Sequence, residues 1–393
     1  MMAMYPKYSH NYGITDILYC ASGFFIDYSV SLGHKLREIF GVKHVLFLDS
    51  GRSVLNLGLK SLIDMGKLKQ GDEVAIPVDL CHVAVELIIK NGLIPLFIDI
   101  DNNLTMSTED LRKKMTKKTK AVMPVYNYGN VPKMDEICRI AETNKAAVIE
   151  DMAPAFNAKY KGRTAGNFGL FGFLSLDVTK HISAFNGGIL LTNDYALYAK
   201  IKEEIDEINK NQNKREGFFE NIKRMIKLKA FIIAANNMVY GLFTRRFISH
   251  AKNMSYYQPK NMLLSKAAIA LAYSQVKKID KINSFRKMNA MTLMAGLKTY
   301  ACVQKDRKPT YQFLPVLVKN KNKILHYLEN EKKLIDLPRP VPLLIHMHEY
   351  HKYHNKCPNA EEMRKKLILL PTYRKIKDIV PKLCGIINRL EKE

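Results

Sequence analysis

The chain has 393 residues, is 47% apolar and 25% charged, and carries a formal net charge of +25. This length and apolar share predict one large domain with a smaller one beside it, and exclude a disordered chain or a single small module. The charge favours anionic partners in general, but the basic residues are spread along the whole chain, with runs at 113–120, from 332 and from 364. No zinc finger, RNA-binding signature or basic-leucine pattern accompanies them, so nucleic-acid binding is not expected.

Six cysteines, Cys20, Cys81, Cys138, Cys302, Cys357 and Cys384, lie far apart without a C-x-x-C pair. That spacing fits a reducing compartment rather than a stapled secreted fold or a zinc site. The opening MMAMYPKYSHNYG lacks the apolar run and cleavage site of an export signal, so a cytoplasmic protein is expected.

From residue 45 the chain alternates short apolar runs with helical periodicity: VLFLD, SVLNLGLKSLIDMG, EVAIPV, VAVELIIKNG and PLFIDI. This βαβαβ rhythm predicts an α/β fold with a mainly parallel sheet covered by helices. It continues through AVMPVYN (121–127), the helical MDEICRIAETN (134–144), AAVIEDM (146–152), FGFLSL (171–176) and GGILLTND (187–194).

The rhythm breaks at about 198–250, where a charged helical pattern passes into the basic and apolar RMIKLKAFIIAANNMVYGLFTRRF. Its uncharged core, 230–243, is shorter than the roughly 20 residues that cross a bilayer and contains Asn236 and Asn237. The stretch is read as an inserted amphipathic helix that packs on the core or on another subunit, with contact to a membrane surface as the alternative. Residues 265–283 predict one long linking helix, and the remainder a small α+β domain, giving parts at 1–255 and 256–393.

Three elements at predicted strand ends can carry chemistry. Ser50, Gly51, Arg52 and Ser53 form a small-residue turn into a helix, where backbone N–H groups and the helix dipole favour a phosphate. Such turns are also common as plain structure. Glu150 and Asp151 stand at the end of the run AAVIEDM, placing a carboxylate where it can pair with a protonated ring nitrogen, although many strands end in Asp for turn reasons. Lys180, in SLDVTKHIS, follows an apolar run and precedes Gly187 and Gly188, so it is expected on an interior loop, where a lysine can form a Schiff base.

The order of these elements, with Ser175 five residues before Lys180 and GGILLTND after it, resembles the DegT/DnrJ/EryC1/StrS family of sugar aminotransferases. The likeness extends over residues 71–101, 116–156, 159–180, 261–283 and 357–371. It implies a fold-type I, pyridoxal-phosphate-dependent transferase with a seven-stranded, mainly parallel sheet and a smaller α+β C-terminal domain. By the same resemblance Lys180 forms the internal aldimine with pyridoxal 5'-phosphate, and Asp151 pairs with the pyridine nitrogen. Ser175 and the backbone at Gly51, Arg52 and Ser53 hold the phosphate, and Asn261 reaches it from the neighbouring subunit of a homodimer. The implied reaction moves an amino group from an amino acid, usually glutamate, to a nucleotide-linked keto sugar in surface-polysaccharide or related biosynthesis.

The chain departs from the family pattern in several places. Pro154 replaces a glutamine that touches the cofactor, and Cys81, with His82 beside it, stands where an aromatic ring often stacks. Phe185 replaces a glycine, Arg52 a threonine and Leu263 an arginine. Retained Lys180 argues against the dehydratase branch, in which a histidine stands at this position. A non-enzymatic scaffold or membrane-surface protein is the remaining alternative. His346, His348, His351 and His354 form a histidine-rich segment without nearby cysteine or paired carboxylates, and are read as surface or substrate-side residues rather than metal ligands.

Overall fold

The computed structural model describes all residues except 1–3, 10–11, 211–213, 235, 238–239, 241–258, 303–306 and 354–355. Two helices, α1 (Ile14–Ser22) and α2 (Ser29–Phe40), precede the first strand, β1 (His44–Leu48). Then follow α3 (Gly51–Asp64), β2 (Glu73–Pro77), α4 (His82–Lys90), β3 (Ile94–Ile98), α5 (Thr108–Lys114) and β4 (Thr119–Val122). The chain continues with α6 (Met134–Thr143), β5 (Ala147–Asp151), a short hairpin β6–β7 (Lys159–Tyr160 and Arg163–Thr164), β8 (Phe171–Ser175) and β9 (Gly188–Thr192).

Seven of these strands form one sheet in the order β1-β9-β8-β5-β4-β2-β3. β2, β3, β4, β5 and β8 run parallel to one another, and β9 alone is reversed, antiparallel to both β8 and β1. The expected mainly parallel α/β sheet is therefore present. Its strands read as continuous apolar runs because helices cover both faces, as a buried parallel sheet demands. One consequence positions everything that follows: β1, β2, β5 and β8 all end at the same edge of the sheet. Strand β4 is shorter than AVMPVYN suggests. Pro124 has no N–H to give the ladder, although its carbonyl still accepts from the Asp151 amide at 3.0 Å.

The expected single linking helix is two, α9 (Lys266–Val276) and α10 (Ile279–Gly296). Periodicity cannot see the cause, which lies on α1. The fully buried Asp16 carboxylate accepts from Ser274 Oγ (2.7 Å), Gln275 Nε2 (2.7 Å) and Lys278 Nζ (2.6 Å), gathering three side chains from around the break onto one anion.

Between β9 and α9 lie α7 (Tyr195–Lys210) and α8 (Lys214–Ala234), the inserted stretch. The inner side of α8 packs on the core: Leu228 is fully buried, and Asn221 Oδ1 accepts from the Ala267 amide at 3.2 Å. Phe219, Ile226 and Ile233 face outward and are exposed. No helix among the described residues is long and apolar enough to cross a membrane. The basic stretch beyond Tyr240 and the expected boundary at 255/256 lie outside the described residues.

Past α10, β10 (Tyr300–Ala301), β11 (Phe313–Leu317) and β12 (Leu367–Pro371) form a three-stranded antiparallel sheet. Leu314, Val316, Ile368 and Leu370 on that sheet pack with Ala290 and Leu293 of α10 into a hydrophobic cluster of their own.

Candidate active site

Every candidate residue read from the sequence lies at or close to the shared strand-end edge. Leu48 ends β1, and Ser50 caps α3 immediately after it, its hydroxyl accepting from the Ser53 amide at 3.2 Å. The Ser53 hydroxyl donates to Asp49 Oδ1 at 2.7 Å, so both its amide and its hydroxyl serve the turn itself. Gly51 opens the helix and touches β8: a Cβ built there would lie 3.3 Å from Ser175 Cβ. The turn and Ser175 thus form one concave spot. Gly188 supports it from below, where a Cβ would come within 2.3 Å of the Ser50 carbonyl oxygen, so no other residue fits.

Asn261 has a left-handed backbone (φ 57°) and sits against this turn in its own chain. Its amide donates to Ser53 Oγ at 3.3 Å, and its Oδ1 accepts from Asn56 Nδ2 at 3.4 Å. Met262 and Asp49 exchange two further hydrogen bonds, Met262 N to Asp49 Oδ1 (3.1 Å) and Asp49 N to Met262 O (2.8 Å). Cys81 caps α4 just past β2 and is exposed. Pro154 lies buried in the turn after β5, closed by Ala155 N donating to Met152 O at 2.8 Å.

Glu150 and Asp151 end the same strand and point to opposite faces, as adjacent strand residues must. Glu150 is fully buried and accepts four hydrogen bonds: from Tyr126 OH (2.6 Å) and the amides of Gly166 (2.8 Å), Phe168 (2.7 Å) and Gly169 (2.8 Å). It ties the 166–169 segment to the sheet. Asp151 is buried too, with the Ala153 amide donating to its Oδ1 at 3.0 Å. Loss of surrounding water pushes its carboxyl up to about 6, and the positive charge of Lys180 opposes that rise. Asp151 ends β5 and Lys180 follows β8, the strand paired with β5, so both stand at the same edge of the sheet.

Lys180 lies on the loop between β8 and β9, half-buried, as the apolar run before it predicted. The loop is closed by Leu176 N donating to Gly187 O (2.8 Å) and Ala184 N to Leu176 O (2.9 Å). Within it the Thr179 amide donates to Asp177 Oδ1 (3.0 Å) and the Lys180 amide to the Asp177 carbonyl (3.0 Å). Two contacts bind it to the C-terminal part: His181 Nε2 with the Thr310 carbonyl (3.1 Å), and Gln312 Nε2 donating to the Thr179 carbonyl (2.8 Å). A narrow cleft opens beside Lys180, lined also by Lys7, Tyr8, Arg286, Gln312 and Tyr373.

Sequence reading missed the far wall of that cleft. Arg286 is one of 62 basic residues, and only its place on the buried stripe of α10, with Ile279, Ile282, Asn289 and Leu293, could have singled it out. The histidine-rich segment is a surface turn in which His348 and His351 stand with ring centroids 5.4 Å apart; His354 lies outside the described residues.

These residues fit pyridoxal phosphate. The Gly51–Ser175 concavity offers a helix N-terminus to a phosphate. Asp151 is a desolvated carboxylate with spare acceptor capacity that gains from meeting a cationic N–H. Lys180 supplies an amine over the same strand ends. A mainly parallel sheet with one reversed strand and a lysine loop between β8 and β9 defines a fold-type I pyridoxal-phosphate-dependent transferase.

Residues 22–382 match the DegT/DnrJ/EryC1/StrS aminotransferase family. The chain belongs to that family and is a pyridoxal-phosphate-dependent aminotransferase. It is 29% identical over 371 residues to a GDP-perosamine synthase of Escherichia coli O157:H7, covering 92% of this chain and 90% of that one. To a UDP-N-acetyl-3-dehydro-alpha-D-glucosamine 3-aminotransferase of Acidithiobacillus ferrooxidans it is 31% identical over 192 residues, 48% of this chain and 51% of the relative. In fold it is similar to an E. coli GDP-4-keto-6-deoxy-D-mannose-3-dehydratase with bound hydrated PLP (TM-score 0.79, 22% identity, 98% of this chain and 100% of that one). It is also similar in fold to Helicobacter pylori PseC, an aminotransferase involved in the biosynthesis of pseudoaminic acid (TM-score 0.78, 17% identity, 99% of this chain and 99% of that one).

Proposed function

We propose that this enzyme transfers an amino group from an amino acid, glutamate in the first instance, to a keto sugar carried on a nucleotide. The observation that carries the reading is the match of residues 22–382 to the aminotransferase family, with Lys180 on the loop after β8 and Asp151 at the end of β5, the strand that pairs with β8. The cofactor, when bound, supplies the electron sink that lets a C–H bond next to nitrogen ionise. The rest falls to the chain's own groups. Lys180 Nζ would hold the cofactor and, once freed, would take or return a proton at the donor carbon. Asp151 would face the cofactor's ring nitrogen as a carboxylate and favour a proton there. Gly51, Arg52 and Ser175 would hold the phosphate end and Cys81 would border the ring, while Ser53, whose amide and hydroxyl serve the turn, would keep its shape. Retention of a lysine at 180 favours amino transfer over the dehydration performed by some relatives.

The same reading takes the working protein to be a cytoplasmic homodimer in which Asn261, although it stands against its own chain's Ser53, would reach the phosphate of the neighbouring subunit. Phe219, Ile226 and Ile233 on the outer side of α8 support a covered surface. We take its cover to be the second subunit; binding of the monomer to anionic vesicles would reverse that assignment in favour of a membrane surface.

The test is spectroscopic. Protein loaded with pyridoxal phosphate is expected to show a band near about 420 nm that moves to about 330 nm on titration with glutamate, and Lys180→Ala is expected to lack the band. Wild type and Lys180→Ala giving the same colourless spectrum would remove the transferase assignment.

A further inference from the structure

We propose that the N-terminal arm, residues 4–9, is a lid over Lys180, and that the inserted stretch holds it shut through Tyr240 and Asp336. The inference rests on Lys180 as the reactive group of the transferase reading and assigns what controls access to it.

The cleft beside Lys180 has water-accessible room of about 10 Å³, enough for one water molecule and for no amino acid or sugar. Three of the residues that line it, Lys7, Tyr8 and Ser9, belong to the arm. Tyr8 is half-buried, its ring tilted against Phe313 with 5.9 Å between centroids. The root of the arm is fastened elsewhere. Tyr5 pairs with Ile335 in a parallel bridge, its amide donating to the Leu334 carbonyl and its carbonyl accepting from the Asp336 amide, both at 3.0 Å. The Tyr373 hydroxyl donates to the Pro6 carbonyl at 2.7 Å, and the Met4 amide to the Asn237 carbonyl of the insert at 3.2 Å.

Asp336 joins the two segments. Its amide holds Tyr5, while its carboxyl accepts from the Tyr240 hydroxyl of the insert at 2.7 Å, and Tyr240 and Asp336 are both buried. Beyond the arm, Tyr12 is anchored on the lysine loop, its hydroxyl donating to the Ser183 carbonyl at 3.0 Å, and serves as the pivot when the clip lets go. The bonds of the arm run to the insert and to the C-terminal part, so it can lift from the cleft without disturbing a strand of the seven-stranded sheet. Local openings of this kind cost less than global unfolding. The population with the arm lifted then sets how much ligand is needed to reach Lys180, because apparent affinity falls with the competent fraction.

The test uses the full-length, cofactor-free chain and reads acetylation of Lys180 by sulfo-N-hydroxysuccinimidyl acetate, followed by peptide mass spectrometry against the exposed Lys117. Tyr240→Phe removes only the hydroxyl of the clip, and Tyr8→Gly removes the ring over the cleft with the clip intact. Both are expected to speed Lys180 labelling at least about fivefold, and Tyr240→Phe to speed hydrogen exchange at the Tyr5 and Asp336 amides, with Lys117 unchanged. In the loaded enzyme Tyr240→Phe should reach the half-maximal glutamate-driven shift at about fivefold less glutamate, with the saturating rate unchanged. Should Tyr240→Phe not fold, Tyr8→Gly decides alone. Lys180 labelled as fast in wild type as in the variants overturns the proposal. Tyr8→Gly needing more glutamate than wild type also overturns it, because the arm would then be a binding wall. Faster labelling in the variants without any glutamate-driven shift keeps the lid and sinks the transferase reading instead.

Discussion

Phe185 on the lysine loop meets Phe231 of the inserted helix edge to face, with ring centroids 5.7 Å apart. Tyr12 completes the group: its ring lies 5.8 Å from Phe185 and 5.7 Å from Phe231, and its hydroxyl donates to the Ser183 carbonyl at 3.0 Å. Phe185 holds a left-handed backbone (φ 69°), a conformation costing a bulky residue about 1–3 kcal/mol. Aromatic packing from two distant segments offsets that cost. The insert therefore buttresses the loop that carries Lys180.

Phe231→Ala should accordingly destabilise the protein by about 2 kcal/mol and weaken cofactor binding, while leaving Lys180 in place. Urea denaturation together with a pyridoxal phosphate titration would check both effects. Loss of stability with unchanged cofactor affinity would mean that the helix supports the core but not the loop.

Asp151→Asn is expected to retain the visible band, because Lys180 remains. It should slow the glutamate-driven shift by about a hundredfold or more, roughly 3 kcal/mol of barrier. Stopped-flow absorbance would read the rate, and a near-wild-type value would take Asp151 out of the electronic role.

Glu150 calls for the opposite expectation. Glu150→Gln turns part of a four-fold acceptor into a donor facing donors, which should cost about 3–5 kcal/mol of stability. Denaturant unfolding should show it directly. Glutamate chemistry in whatever protein remains folded should be little changed.

Asp79, just beyond β2, is buried, and neither carboxylate oxygen has a hydrogen-bond partner. Desolvation pushes its carboxyl from 3.8 up to about 7, with the nearby Arg364 guanidinium opposing the rise. The folded state therefore binds the extra proton, and stability falls as pH rises from about 4 to about 7. Asp151 adds the same sign between about 4 and 6 while the cofactor is absent. Asp79→Asn should be more stable than wild type at pH 8 by about 2–4 kcal/mol and nearly equal at pH 4. Unfolding midpoints across this range decide it, and loading the cofactor should remove only the Asp151 share.

The fold was legible in the sequence because a doubly covered parallel sheet writes itself as apolar runs spaced by helical periodicity. The motifs at its strand ends therefore fell on one edge as soon as the order was read. Lys180, Asp151, Ser175 and the Ser50–Gly51 turn were findable for that reason. Local pattern could not decide which of two adjacent carboxylates would be taken up by structural hydrogen bonds. That depended on which one met Tyr126 and three amides, and which one met Lys180. Nor could it show that the linking helix breaks where Asp16 gathers Ser274, Gln275 and Lys278, since the anion lies some 260 residues away in sequence. Arg286 looked like any other basic residue until tertiary packing buried it without a counter-charge. The sequence by itself determined the sheet and the identity of the chemical groups, because both follow from local composition. The tertiary structure alone decided each group's solvation and its charged neighbours, and those set its chemistry.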